Sequence, residues 1–187
     1  MTSIPLSGKV GRSRSVEEDP LAVLHREHYR SLVRLAAIVL GDAGLGEQVV
    51  QDAFVRLQLR WGALRDLEKA PAYLRSAVLN GARSQLRRQK VRDRFASRRT
   101  VEPTVPTPEA AALAGDDHAR VVAALRRLPA RQREALTLRY YLDLPVADVA
   151  DAMGVSTGSV KTHVHRGLAA LAQDMGEPVE STGEEDR

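Results

Sequence analysis

The sequence predicts an all-α protein of two small helical domains joined by a flexible linker, the second built around a helix-turn-helix. Three observations carry that prediction. Ala, Leu and Arg dominate the chain, and each favours helix without demanding a sheet. Apolar residues recur at steps of three or four in every ordered segment, and strand-like alternation persists nowhere. A proline-bearing stretch, residues 95–116, separates two sets of such segments and reads as linker. The 187 residues suit one ordinary domain or two small ones. Only 4% are aromatic, so the cores must rest on Leu, Val and Ala.

Residues 1–20 are polar with Gly, Ser and Pro. They read as disordered and not as a signal peptide. From Leu21 the pattern turns helical, with Leu24, His28, Leu32, Leu35 and Val39 on one face. Gly41 stops that helix, and Asp42 to Gly46 read as a turn. A second helix is expected from about Glu47 to Trp61, lined by Val50, Phe54 and Leu57, with Val49, Ala53 and Trp61 beside them. A third begins near Pro71, a first-turn position suited to proline, with Leu74, Ala77, Val78 and Leu86 as its apolar side. These make a first domain over 21–94. Pro103, Pro106 and Pro108 then break any helix. The second domain spans 117–175: a helix from Asp117 to Leu128, one from Ala130 to about Tyr141, and two on either side of Gly154. Residues 176–187 lack periodicity and read as a disordered acidic tail.

Charge is unevenly placed. From Arg75 to Arg99 nine Lys or Arg stand against one acid, Asp93, whereas Glu177 to Arg187 holds five acids against one Arg. So dense a basic block attracts polyanions, against the plainer reading of a solvated helix face. The tail could fold back on that block or be loose chain.

The composition removes whole classes of function. Cysteine is absent, which excludes a disulfide scaffold, a Cys-based zinc site and a thiol nucleophile, and agrees with a reducing cytoplasm. No apolar run approaches the ~20 residues of a membrane helix, so no membrane insertion is expected. Of the five histidines, His25 and His28 are three apart but no H-E-x-x-H follows, and His163 and His165 point to different sides of a helix. No metal, cofactor or catalytic residue is therefore assigned. Without a phosphate loop, a nucleophile elbow or an assembled acid–base set, the chain does not read as an enzyme.

The sharpest local signal is VADVADAMGVSTGSVKTHVHRGLAAL, residues 146–171. Val149 and Met153 are apolar on a first helix, and Ala150 is small, as a close helix crossing requires. Gly154 can take positive φ, Val155 packs inward, and Ser156 is placed to cap a second helix. Val160, Val164, Leu168 and Leu171 form the expected buried stripe. The opposite face carries Ser159, Lys161, Thr162, His165 and Arg166, hydrogen-bonding and cationic groups in the half that enters a major groove. Arginine can read guanine edges at two points, and Lys and Thr can hold phosphates or bases.

The stretch LRRLPARQREALTLRYYLDLPVADVADAMGVSTGSVKTHVHRGLAALA resembles region four of the extracytoplasmic-function (ECF) sigma factors, and its GSVKTHVHRG is similar to their G-T-V-K-S-R-L-H-R-A. His163 in place of Arg removes a permanent charge, and Gly167 in place of Ala is expected to weaken the helix slightly. HREHYRSLVRLAAIVLGDAGLGEQVVQDAFVRL resembles region two, around its A-E-D-L-V-Q-E-x-F signature, with Gln48 where the family has Asp. AYLRSAVLNGARSQLRRQK is similar to the promoter-melting segment, with Ser84 where Asp is common. The resemblance covers roughly 21–92 and 117–172 and looks most like the actinobacterial SigE-like group.

That resemblance implies a sigma factor. It would bind core RNA polymerase through the β′ clamp and the β flap and promoter DNA through two elements, acting at the nucleoid in the cytoplasm. On the family pattern Ser159, Lys161, Thr162, His165 and Arg166 would read the −35 element. Asn80 would help capture an unstacked −10 base, beside Arg83, Arg87 and Arg88 on the opened strand's phosphates. Glu47, Gln51, Asp52 and Arg56 would meet the clamp, while Phe54 belongs to the core. An anti-sigma factor is the further partner such proteins have. The acidic linker residues Glu102, Glu109, Asp116 and Asp117 would suit either a nucleic-acid mimic in the polymerase or a plain spacer. The rival reading is a LuxR-type regulator, whose helix-turn-helix also carries V-K-T-H-V. Such proteins usually join it to a receiver or ligand-binding domain, and here the first domain shows no α/β alternation.

Overall fold

A computed structural model describes residues 19–63, 66–96 and 116–176. Every regular element among them is helical. Helix α1 runs Pro20–Leu40, opened by the Asp19 carboxylate accepting the Leu21 amide and closed by Gly41 at φ 75°. Helix α2 runs Ala43–Leu59. It starts four residues earlier than expected, because the supposed turn at Asp42 is an N-cap. The Asp42 side chain accepts the Leu45 amide at 2.9 Å, and Ala43 to Gly46 form the first helical turn. Two short 3₁₀ turns, Trp61–Ala63 and Leu67–Lys69, lead into the long helix α3, Ala70–Ala96.

These three helices pack on one another. Leu35, Val39, Val50, Leu57, Leu74, Val78 and Leu79 are fully buried between them, and Phe54 is buried as expected. His28 is only half-buried. Gly46 lies where α2 crosses α1, and Gly81 where α3 meets Val49.

The second module contains α4 (Asp116–Arg127), α5 (Ala130–Leu136), α6 (Val146–Met153) and α7 (Thr157–Met175). The expected single helix from Ala130 to Tyr141 changes gauge after Leu136. Thr137–Tyr141 is a π-turn, and the Thr137 hydroxyl donates back to the Arg133 carbonyl at 2.8 Å. Gly154 takes φ 66° at the end of α6, and Val149, Ala150 and Met153 are buried beneath it.

The stripe of α7 is buried less fully than expected, with Val164 and Leu171 only half-buried. Val160 is buried, but Leu168 is 39% exposed and Gly167 takes the buried position instead. A Cβ on Gly167 would stand 2.9 Å from Leu136 Cδ1. The glycine is thus the condition for α7 to lie close on α5, not merely a weak point in a helix.

The two modules abut. α1 and α3 meet α5, the π-turn and α6, and one apolar cluster runs from Leu24 through Leu79 to Leu138 and Val160. The readings of residues 1–18, of the linker over 97–115 and of the tail over 177–187 lie outside the described residues, as do the side chains of Asp116 and Asp117.

Candidate nucleic-acid interface

Helix α7 begins as its sequence requires. Ser156 Oγ accepts the Ser159 amide at 3.2 Å and lies 2.9 Å from Ser159 Oγ, so the cap also fixes Ser159. Thr162 donates to the Gly158 carbonyl at 3.0 Å. Lys161, Thr162, His165 and Arg166 are exposed on one face, with Ser159 half-buried at its head. Thr162 and Ser159 bond within their own helix turn, and the face they share with Lys161, His165 and Arg166 stands toward solvent, where a groove can meet it. Replacing Ser156 with Ala should cost about 1 kcal/mol by removing the cap. A lowered thermal midpoint would check this, and an unchanged one would mean the cap carries no weight.

Asn80, Arg87 and Arg88 are exposed on α3. Ser84 links the first two of them. Ser84 donates to the Asn80 carbonyl at 2.9 Å, and Arg87 Nη2 donates to Ser84 Oγ at 2.9 Å. Ser84, Gln85, Arg87, Arg88, Val91 and Arg92 line a shallow groove. The position read as a departure in the sequence, Ser84, is the link that orients Arg87.

Arg83 lies differently from its neighbours. Its Nε donates to both carboxylate oxygens of Glu134 at 3.0 and 3.2 Å, and its Nη2 to Oε2 at 2.7 Å. Nη2 also reaches the Met153 carbonyl at 3.2 Å, and Nη1 donates to Asn80 Oδ1 at 3.1 Å. The Glu134 side chain is 0% exposed and that of Arg83 15%. Arg131 adds a second guanidinium, 3.2 Å from Glu134 Oε2. In this arrangement Arg83 is joined to the second module and does not face solvent with Arg87 and Arg88. Sequence reasoning missed Glu134. Its one signal was a carboxylate four residues before the buried Leu138, on a face otherwise apolar, where an acid must have a cationic partner.

The third set lies on α2. Glu47, Gln51, Asp52 and Arg56 are all exposed there. Tyr29 of α1 donates to Glu47 Oε1 at 3.1 Å and accepts from Gln51 Nε2 at 3.5 Å, while His25 stacks on the Tyr29 ring at 4.4 Å. Leu59, 81% exposed, and Val55 continue the same surface apolarly. Neither the tyrosine brace nor this apolar extension was read from the sequence.

Beneath the second module Arg133 is buried, with one donor on the Arg126 carbonyl. Burial lowers its pKa below the ordinary guanidinium value, Glu134 opposes that shift and Arg126 adds to it. Among the described residues no group of three His, Asp or Glu could hold a metal ion, and no helix is long and apolar enough to cross a membrane.

Known proteins align with both modules. Residues 24–92 match the family described as sigma-70 region 2, and residues 118–171 that described as sigma-70, region 4. The chain is 29% identical over 154 residues to an RNA polymerase sigma-E factor of Streptomyces coelicolor, covering 80% of this chain and 82% of that protein. It is 29% identical over 158 residues to the ECF RNA polymerase sigma factor SigM of Mycobacterium tuberculosis, covering 82% and 76%. Its fold is shared with the sigma factor RpoE of Bartonella quintana, solved with the anti-sigma factor NepR. The TM-score is 0.69 at 22% identity, over 84% of this chain and 98% of that one. It is shared also with CnrH, solved with the cytosolic domain of CnrY, at TM-score 0.61 and 22% identity, over 83% and 87%.

Proposed function

The chain belongs to the sigma-70 family, carrying its regions 2 and 4, and from that premise we propose how its surfaces divide the work of starting transcription. It is an RNA polymerase sigma factor. The match of its first module to region 2 leaves no place for the LuxR-type alternative, which would need an unrelated partner domain there.

Residues 21–94 form the clamp-binding and −10 module, and 117–175 the −35 module. Lys161, Thr162, His165 and Arg166, with Ser159 at the helix start, meet the −35 major groove. The observation that carries this is one exposed cationic and hydrogen-bonding face on a helix whose N-terminus is capped and clear. Asn80 takes an unstacked −10 base by its paired donor and acceptor, and Arg87 and Arg88 neutralise the strand's phosphates, whereas Arg83, expected to join them, is bound to Glu134 in this arrangement. Glu47, Gln51, Asp52 and Arg56 meet the β′ clamp, oriented by Tyr29, while the second module docks on the β flap. The protein acts in the cytoplasm as a binding factor and not as an enzyme. RpoE of Bartonella quintana, which has the same fold, is solved with the anti-sigma factor NepR, and a partner of that kind suits this chain.

Run-off transcription with purified core polymerase and a genomic fragment pool tests the reading. Discrete promoter-dependent transcripts, absent without the chain, are the expected result. Their absence, together with failure to form a stable complex with core polymerase, would sink it.

A further inference from the structure

We propose that Gly81 and Gly167 are positioning residues for promoter recognition. Each follows directly on a residue assigned to read a base, and its missing side chain sets how far that reader stands out from the protein. The proposal rests on the sigma-factor reading above and adds to it two residues that touch no DNA themselves. Asn80 is followed by Gly81 on α3, and Arg166 by Gly167 on α7. Consecutive residues of a helix are turned by about 100° from each other. Both readers are accordingly exposed, while both glycines are pressed against a neighbouring helix of the same module.

Neither contact has room for a methyl group. A Cβ on Gly81 would stand 2.7 Å from Val49 Cγ1 on α2. One on Gly167 would stand 2.9 Å from Leu136 Cδ1 and 3.1 Å from its Cγ on α5. Non-bonded carbons settle about 3.5–4.0 Å apart, so a methyl at either site pushes the helices apart by about 1 Å. The opposing side chains have little freedom to give way. Val49 and Leu136 are both buried, at 4% and 3% exposure. Val49 is β-branched, which restricts its χ1 within a helix. Turning Leu136 Cδ1 aside leaves its Cγ where it is.

A displacement of that size falls on base choice before it falls on affinity. Hydrogen bonds to a base edge hold over about 2.7–3.2 Å, and a two-point contact needs both bonds at once. A shift of about 1 Å breaks at least one of them. Contacts to phosphate by a lysine follow such a shift, because the charge is compact and its stem flexible. The two sites are also independent of each other. Gly81 lies on the α2–α3 crossing of the first module and Gly167 on the α5–α7 crossing of the second, so each governs one promoter element.

The test uses the full chain with core polymerase and two promoter libraries, one randomised in the −35 element and one in the −10 element. Gly167→Ala should weaken the preference at the −35 base read by Arg166 about tenfold and leave the −10 ranking as it was. Gly81→Ala should do the reverse. A merely structural role would lower all promoters together and change neither ranking. Compensation separates position from stability. Leu136→Ala beside Gly167→Ala, and Val49→Ala beside Gly81→Ala, clear the space and should restore the ranking of the unsubstituted chain, although each removes buried apolar surface. If a glycine variant loses helical circular dichroism, the same push from the other side, Leu136→Phe or Val49→Ile, takes its place. A ranking changed at that element alone supports the proposal, and an unchanged one rejects it. Unaltered rankings in both glycine variants, or equal losses at both elements, overturn it. Silence of the unsubstituted chain in the same assay would instead remove the sigma-factor reading on which the proposal stands.

Discussion

Replacing Arg166 with alanine should cut initiation from −35-dependent promoters ten- to a hundredfold. The side chain is exposed on α7, one turn from Thr162 and beside His165. A two-point contact to a guanine edge discriminates by about 1–3 kcal/mol, which is the range quoted for the loss. Lys161 lies on the same face but carries a point charge suited to phosphate. Its replacement by alanine should weaken binding evenly across sequences and reduce the slope of log affinity against log salt by about one. Start-site sequencing with each variant separates the two. If Arg166→Ala lowers all promoters equally and leaves their ranking intact, the arginine is a phosphate contact and its assigned role fails.

The cap and turn of this motif were legible because their causes are local. A serine two residues after a glycine, before an apolar stripe, specifies Gly154 at positive φ and Ser156 accepting an amide. The periodic faces of α1 and α2 were legible for the same reason. Gly167 was not. Seen along the chain, it is a loss of helix propensity, and only the approach of Leu136, 31 positions earlier, shows that the space is occupied. The shift of burial from Leu168 to Gly167 follows from that same crossing.

Arg83 shows the limit more sharply. Its neighbours Arg87 and Arg88 follow the reading of a basic face, yet Arg83 is turned away by a carboxylate 51 residues on. Composition and spacing identify it as cationic and well placed for DNA. They hold no information about a partner beyond a linker. The face assigned to polymerase was similarly half-read. The polar residues of α2 declared themselves by their pattern, whereas the Tyr29 brace depends on how α1 and α2 cross.

That crossing supplies the second large effect, an opposite sign at two glycines two residues apart. Gly46→Ala should destabilise the chain by about 2 kcal/mol, while Gly44→Ala should stabilise it by about 0.5–1 kcal/mol. Both sit in the first turn of α2, and in both the methyl adds helix propensity worth up to about 1 kcal/mol. At Gly44 that gain stands alone, since the nearest foreign atom to the new Cβ is Asp42 Oδ1 at 3.5 Å, an ordinary contact. At Gly46 the Cβ would lie 2.8 Å from the Ala37 nitrogen and 3.1 Å from its Cα. These are backbone atoms of a packed helix and cannot rotate aside, so α1 and α2 must separate. Overpacking of this kind costs about 1–3 kcal/mol or more, and the clash outweighs the propensity. For a chain of this size the net loss corresponds to a midpoint lower by roughly 4–8 °C. The same separation would pull Tyr29 from Glu47 and Gln51, so weaker binding to core polymerase should accompany the lower midpoint. Urea unfolding of both variants checks the sign. Equal stability of Gly46→Ala and Gly44→Ala would mean that the crossing of α1 and α2 is not set by the missing side chain.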